Sequence, residues 1–202
     1  MSRLNENKRL EIIANFKYNI LPLVKKYPKH IKIIDIGCGS GYNVNELRKL
    51  GYNVVGTDIS EEMINLCISR YGQFFSKDDI VNTKIRDKFD LIICTETLEH
   101  IQDLYKAIEN LKTISTDMII TFPYKEELID DVCPSCNQTF KRSGHLHYFD
   151  KEKINSLELN IVSTKITTPT IILNFNPFVD KVVHSLIDLQ GKAVLHIKEA
   201  KK

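Results

Sequence analysis

Apolar and polar positions follow two alternating periods along this chain. Between residues 31 and 123, short apolar runs rich in β-branched side chains alternate with stretches of helical spacing. The runs IKIIDIG (31–37), YNVVGTD (52–58), KFDLIICT (88–95) and STDMIITFP (115–123) read as strands, and GQFFSKDD (72–79) as a short third strand running into an acidic turn. The stretches YNVNELRKLG (42–51) and DLYKAIENLK (103–112) read as helices, as does the one after Ser60. Gly51 closes the first, and Ser60 suits an N-cap because Glu61, Glu62 and the apolar Met63, Ile64 and Leu66 follow it. This strict alternation predicts an α/β fold, a parallel sheet with helices on both faces.

The flanks are less regular. Residues 8–27 place Leu10, Ile13, Phe16, Ile20 and Leu23 at near-helical intervals, with Pro22 expected to kink or split the helix and Pro28 to end it. Residues 1–30 are therefore expected to form an N-terminal helical cap on a core of residues 31–202. After Pro123 the rhythm breaks into a polar insertion at about 124–149. KEKINSLE (151–158) then reads as a helix and LNIVSTKIT (159–167) as a strand. PFVDKVVHSLIDL (177–189) has helical spacing, and KAVLHIKEAKK (192–202) reads as a last strand and a basic tail.

Composition narrows the functional classes. With 202 residues, 43% hydrophobic and 27% charged, the chain can bury a real core and is not expected to be disordered. No apolar run approaches the roughly 18–20 residues of a membrane span, and no signal-peptide core is visible, so a cytoplasmic protein is expected. A net charge of +2 argues against a dedicated nucleic-acid binder. The five cysteines (Cys38, Cys67, Cys94, Cys133 and Cys136) are odd in number, and three lie in apolar surroundings, so reduced thiols are expected.

The sharpest motif is Asp35-Ile-Gly37-Cys38-Gly39-Ser-Gly41, between a strand and a helix. Its glycines permit a tight turn and close approach of backbone to ligand, and the next helix points free N–H groups into the loop. The spacing is G-x-G-x-G, not the G-x-G-x-x-G of dinucleotide folds. Asp58 ends the second strand, where a carboxylate can accept both hydroxyls of a ribose, and Asp78-Asp79 follow the third. Acids at three successive strand ends converge on one crevice.

The segment IIDIGCGSGYNVNELRKLGYNVVGTDISEEMI closely resembles the cofactor-binding half of class I S-adenosylmethionine-dependent methyltransferases, and FDLIICTETLEHIQDL resembles their fourth-strand motif. The resemblance implies a Rossmann-like, mostly parallel seven-stranded sheet whose last strand runs antiparallel between the fifth and sixth. It implies that Gly37, Cys38, Gly39 and Gly41 line the methionine moiety, with Asp35 near its amino group. Asp58 would hold the ribose and Ile59 pack on the adenine. Asp79 or Asp78 would approach the adenine amino group, and Thr95 would complete the crevice.

Two further groups carry candidate chemistry. Glu96, Glu99 and His100 would share one face if they formed a helical turn, able to hold a divalent cation or supply a base. This E-x-x-E-H pattern resembles quinone-biosynthesis O-methyltransferases and small-RNA 2′-O-methyltransferases, the latter using it to bind a catalytic metal. Cys133-x-x-Cys136 has zinc-knuckle spacing, and His145 and His147 could complete four ligands. GHLHYF alternatively resembles the family segment that presents a histidine to the acceptor, best matched by His145.

The expected activity is methyl transfer from S-adenosylmethionine to a small hydroxylated metabolite or glycan-type acceptor. His100, His145 and Glu96 are the candidate catalytic groups, and zinc or another divalent cation is a candidate second ligand. An RNA 2′-O-methyltransferase and a non-catalytic cofactor- or zinc-binding interaction module are the alternatives. Neither acceptor nor oligomeric state is legible.

Overall fold

The computed structural model describes residues 11–167 and 191–197. Helix α1 spans residues 11–24, and its middle turn, Phe16–Ile20, is wound as a π-helix. Pro22 supplies the reason. It has no N–H to give the carbonyl four residues back, and the chain widens just before it, with the Leu21 N–H reaching the Phe16 carbonyl. The expected break at Pro22 therefore takes the form of a wide turn.

Seven strands form one sheet: β1 (Lys32–Ile36), β2 (Asn53–Asp58), β3 (Phe75–Lys77), β4 (Leu91–Thr95), β5 (Met118–Tyr124), β8 (Ile161–Thr167) and β9 (Gly191–Ile197). The order is β3-β2-β1-β4-β5-β9-β8. The first five pair in parallel, and β9 inserts antiparallel between β5 and β8, with Tyr124 opposite Gly191 and Met118 opposite Ile197. This is the Rossmann-like arrangement expected above. The 177–189 segment and the basic tail beyond residue 197 lie outside the described residues.

The period-2 pattern of the central strands fills both faces. Ile33, Leu91, Ile93 and Ile119 pack on one face with Phe16, Ile20, Leu23 and Val24 of α1, with Val44 and Leu47 of α2 (Tyr42–Lys49), and with Ile64 and Cys67 of α3 (Glu61–Tyr71). Ile34, Ile36, Ile92, Cys94, Ile120 and Phe122 point the other way. They meet Leu104, Ala107, Ile108, Leu111 and Ile114 of α4 (Leu104–Ile114). Each fully buried Leu or Ile contributes roughly 1.5–3 kcal/mol. Three helices start on side-chain caps. Ser60 accepts from Met63 N, Asp103 from Lys106 N, and Asp150 from Lys153 N at the start of α5 (Lys151–Asn155).

The insertion holds structure that the hydrophobic pattern did not reveal. Its strands β6 (Asp130–Val132) and β7 (Thr139–Lys141) form a two-stranded hairpin. Its ends are tied together: the Lys125 N–H donates to the Phe149 carbonyl, and the buried Phe149 ring stacks on Phe122 at 4.0 Å between centroids. At the opposite end of the sheet the hydroxyl of Tyr27, just past α1, bonds to Asp117 (3.0 Å) and to His196 Nε2 (2.7 Å). A partner thus exists for His196, for which the sequence suggested none.

Candidate functional site

The carboxyl ends of β1, β2 and β4 meet where the strand order reverses, between β1 and β4, the usual position of a ligand crevice in an open α/β sheet. The bend from β1 to α2 is held against β2, because the N–H groups of Gly37 and Cys38 both donate to the Thr57 carbonyl (2.8 and 2.9 Å). Gly37 has φ +73°, and a Cβ there would sit 2.3 Å from Thr97 Oγ1. No side chain fits beneath this part of the bend. A Cβ on Gly39, by contrast, would meet open space. Helix α2 begins after Gly41 with no side-chain cap on its first turn, which adjoins the bend.

Asp58 braces this bend. Its Oδ2 accepts from Gly39 N and its Oδ1 from Ser60 N, each at 2.9 Å, so one carboxylate joins the glycine loop to the start of α3. Each oxygen keeps a further lone pair for a ligand. Ile59 beside it is a large apolar side chain left 65% exposed. Asp35, fully buried between Gly56 and Ile93, has no hydrogen-bond partner at full geometry among the described residues. Burial pushes its carboxyl up to about 7, the Asn43 amide working against this and the Asp58 charge adding to it. Asn43 also donates to Thr95 Oγ1 at 3.3 Å, which ties the start of α2 to the end of β4. Burial likewise pushes the Cys38 thiol upward, as suits a small apolar core residue.

The Asp78/Asp79 pair divides unequally. Asp79 uses both oxygens to cap the 3-10 turn Ile80–Asn82, accepting from Val81 N and Asn82 Nδ2. Asp78 accepts from Lys84 N with Oδ1, while its buried Oδ2 has no partner among the described residues.

A second wall forms where residues 96–101 meet the end of the insertion. The expected helical turn through Glu96, Glu99 and His100 is not what forms. A 3-10 turn covers only Leu98–His100, and Glu96 precedes it in a left-handed conformation, φ +50°, with its Oε1 accepting from Thr121 Oγ1 at 2.7 Å. Glu96 is drawn to β5, and His145 takes its place beside the other two. The chain at 144–147 docks along this turn through three hydrogen bonds. His100 Nδ1 meets the Gly144 carbonyl (3.1 Å), Leu146 N the Glu99 carbonyl (2.7 Å), and His147 Nε2 the Ile101 carbonyl (2.6 Å). Among the described residues, the one group of three metal-type side chains with donor atoms all within 4.8 Å is Glu99, His100 and His145. His145 also contacts the Glu126 carboxylate through Nδ1, and its ring lies edge-on to His100 at 4.7 Å.

The four-ligand set Cys133, Cys136, His145 and His147 is not brought together, because His147 is bonded to the Ile101 carbonyl and His145 to Glu126, beside His100. The cysteines sit alone at the hairpin tip, where the Asn137 N–H closes the turn onto the Cys133 carbonyl. The N–H groups of Ser135 and Cys136 draw the Cys133 thiol below its ordinary range.

Sequence reasoning missed Thr97, Thr121 and Glu126. The first two could have been suspected from their places beside the motif and at the end of β5. Glu126 carried no signal, lying in the run KEELIDD with its partner 19 residues away.

A methyltransferase domain model matches residues 8–157. The ubiquinone biosynthesis O-methyltransferase of Coxiella burnetii is 35% identical over 88 residues, covering 41% of this chain and 37% of that protein. The malonyl-[acyl-carrier protein] O-methyltransferase of Bacillus cereus is 30% identical over 98 residues, covering 46% and 36%. This chain thus spans little more than a third of the length of those curated relatives. An S-adenosylmethionine-dependent methyltransferase from Clostridium acetobutylicum superposes with a TM-score of 0.64 at 16% identity, covering 96% of this chain and 98% of that one. Magnesium protoporphyrin IX methyltransferase from Synechocystis, solved with bound SAH, gives 0.64 at 17%, covering 98% and 89%. The strand order, the glycine bend braced by Asp58 and a family match running from α1 through α5 lead to one assignment: the chain belongs to the methyltransferase domain family.

Proposed function

We propose that the protein transfers a methyl group from S-adenosylmethionine to a hydroxyl of a small molecule. The observation that carries this reading is Asp35. A fully buried carboxyl without a hydrogen-bond partner at full geometry, under a glycine bend, calls for a cation, and the ligand's ammonium group is one. The rest of the crevice suits a nucleoside without phosphate. Asp58 keeps lone pairs for the ribose, Ile59 offers an apolar face to the base, and Asp78 rather than the fully engaged Asp79 has a free oxygen for its amino group. The start of α2, which no side chain caps, suits the ligand's carboxylate. Cys38, Gly41 and Thr95 shape the walls.

The cofactor supplies an electrophilic methyl on a sulfonium. This chain's part is to hold donor and acceptor close and in line, a factor of several kcal/mol in such reactions. His145 or His100 takes the acceptor proton, and Glu96 shapes the wall between them. Glu99, His100 and His145 also fit a divalent cation, which would polarise the acceptor hydroxyl. Zinc at the hairpin is proposed only for the two thiolates of Cys133 and Cys136.

Methyl-labelled S-adenosylmethionine offered with pools of hydroxylated metabolites, and separately with RNA, tests the reading. Label entering the metabolite pool is the expected result. Label entering only RNA shifts the assignment to the 2′-hydroxyl of a nucleic acid, and no incorporation from any pool by protein that also fails to bind the cofactor ends it.

A further inference from the structure

We infer that Glu126 is a positioning residue that fixes the tautomer of His145 and presents its Nε2 as an unprotonated donor to the Glu99/His100 cluster. The inference rests on the proposed role of that cluster, and it comes from which ring atoms are already taken. A carboxylate only accepts hydrogen bonds, so Nδ1 of His145, facing Glu126 Oε2, carries the proton and Nε2 of the neutral ring has a lone pair. The same logic applies to His100, whose Nδ1 faces the Gly144 carbonyl. Its Nε2 is therefore a lone pair as well. Two rings 4.7 Å apart, each committed through Nδ1, stand with the buried Glu99 carboxylate in one group of donor atoms. A proton-accepting base and a cation ligand need the same thing here, an imidazole lone pair. A carboxylate on the far nitrogen is the usual way proteins secure it.

His147 supplies the contrast. Its Nε2 faces the Ile101 carbonyl, so it has the opposite tautomer, and its role is to pin the insertion to the 98–101 turn. Glu126 and His145 are only partly exposed, with 34% and 15% of their side-chain surface accessible, so the pair is sheltered enough to persist and open enough to serve a ligand.

The test uses the full chain with Cys133→Ser and Cys136→Ser, so that thiolates do not compete for metal. Long-range proton–nitrogen correlation spectra at a pH of about 8, above the ordinary imidazole range, report the tautomer of each histidine. Cobalt(II) titration followed by visible absorption reports the cluster, and calorimetry with S-adenosylhomocysteine reports the crevice. The parent is expected to show His145 protonated on Nδ1. Glu126→Ala is expected to lose that preference and to bind cobalt about 10–100-fold more weakly, with nucleoside binding unchanged. Glu126→Gln, whose amide oxygen still accepts, is expected to fall between. His145 protonated on Nε2 in the parent, or an unaltered tautomer in Glu126→Ala, overturns the positioning role. A parent that takes up no cobalt while showing the Nδ1 tautomer overturns the cation reading and leaves Glu126 as the orienter of a base.

Discussion

Asp58 and Asp35 are both carboxylates at the carboxyl end of the sheet, yet their surroundings give them different tasks. Asp58 has two backbone donors and braces the loop, and the proposal gives its remaining lone pairs to the ribose. Hydrogen bonds to a charged group are worth about 1.5–3 kcal/mol each. Asp58→Ala is therefore expected to weaken S-adenosylhomocysteine binding by about tenfold or more, as measured by calorimetry. Asp35 has burial with only the Asn43 amide to offset it, and its carboxyl rises to about 7 against about 3.9 in an unfolded chain. Between those values the folded protein retains a proton that the unfolded chain has released. The ligand-free protein should accordingly lose stability as pH rises from about 4 to about 7, and Asp35→Asn should flatten that slope in urea titrations. A bound ammonium favours the charged carboxylate. Binding at pH 6 should then expel about one proton, read from calorimetry in buffers of different ionisation enthalpy. Equal proton release in Asp35→Asn would assign the proton elsewhere.

Among the elements, legibility followed the length of the apolar signal. The central strands were readable because Ile33, Ile34, Ile92, Ile93 and their neighbours are apolar on both faces, as covered parallel strands must be. Strand starts were read too early, since β4 begins at Leu91 rather than 88, and within 72–79 the short strand is Phe75–Lys77. The hairpin β6–β7 was invisible. Asp130–Val132 and Thr139–Lys141 are three-residue strands with little apolar content that meet through their pairing, with the exposed ion pairs Lys141–Asp130 and Arg142–Asp131 beside it. The residues of the proposed cofactor crevice could be named from the sequence because they are local to strand ends. The Glu99/His100/His145 cluster was only half legible, because a 3-10 turn replaced the expected helix and the third member comes from an insertion. That insertion depends on its closing ring. Phe149→Ala removes a buried aromatic stacked on Phe122 and is expected to cost about 3–5 kcal/mol in chemical denaturation. It should also release the 144–147 segment from the 98–101 turn, seen as faster amide exchange at Leu146. Protected Leu146 in that variant would show that the three docking hydrogen bonds suffice alone.

For the molecule as a whole, the sheet brings two kinds of chemistry to one edge. The first four strands build a crevice from backbone N–H groups and carboxylates, and the insertion after β5 lays imidazoles beside it. Among the described residues, no helix is long and apolar enough to cross a membrane. The cavity of about 450 Å³ between Val55, Phe75, Ile85 and Phe89 has no such constellation, so donor chemistry rather than depth singles out the glycine bend. The G-x-G-x-G spacing and the absence of a lysine in the bend separate a phosphate-free nucleoside from a dinucleotide. Calorimetric titration of the full chain with S-adenosylhomocysteine, run beside NAD, measures that distinction directly. Saturable one-to-one binding of the former and no heat from the latter is the expected result; binding of NAD, or heat from neither, would contradict it.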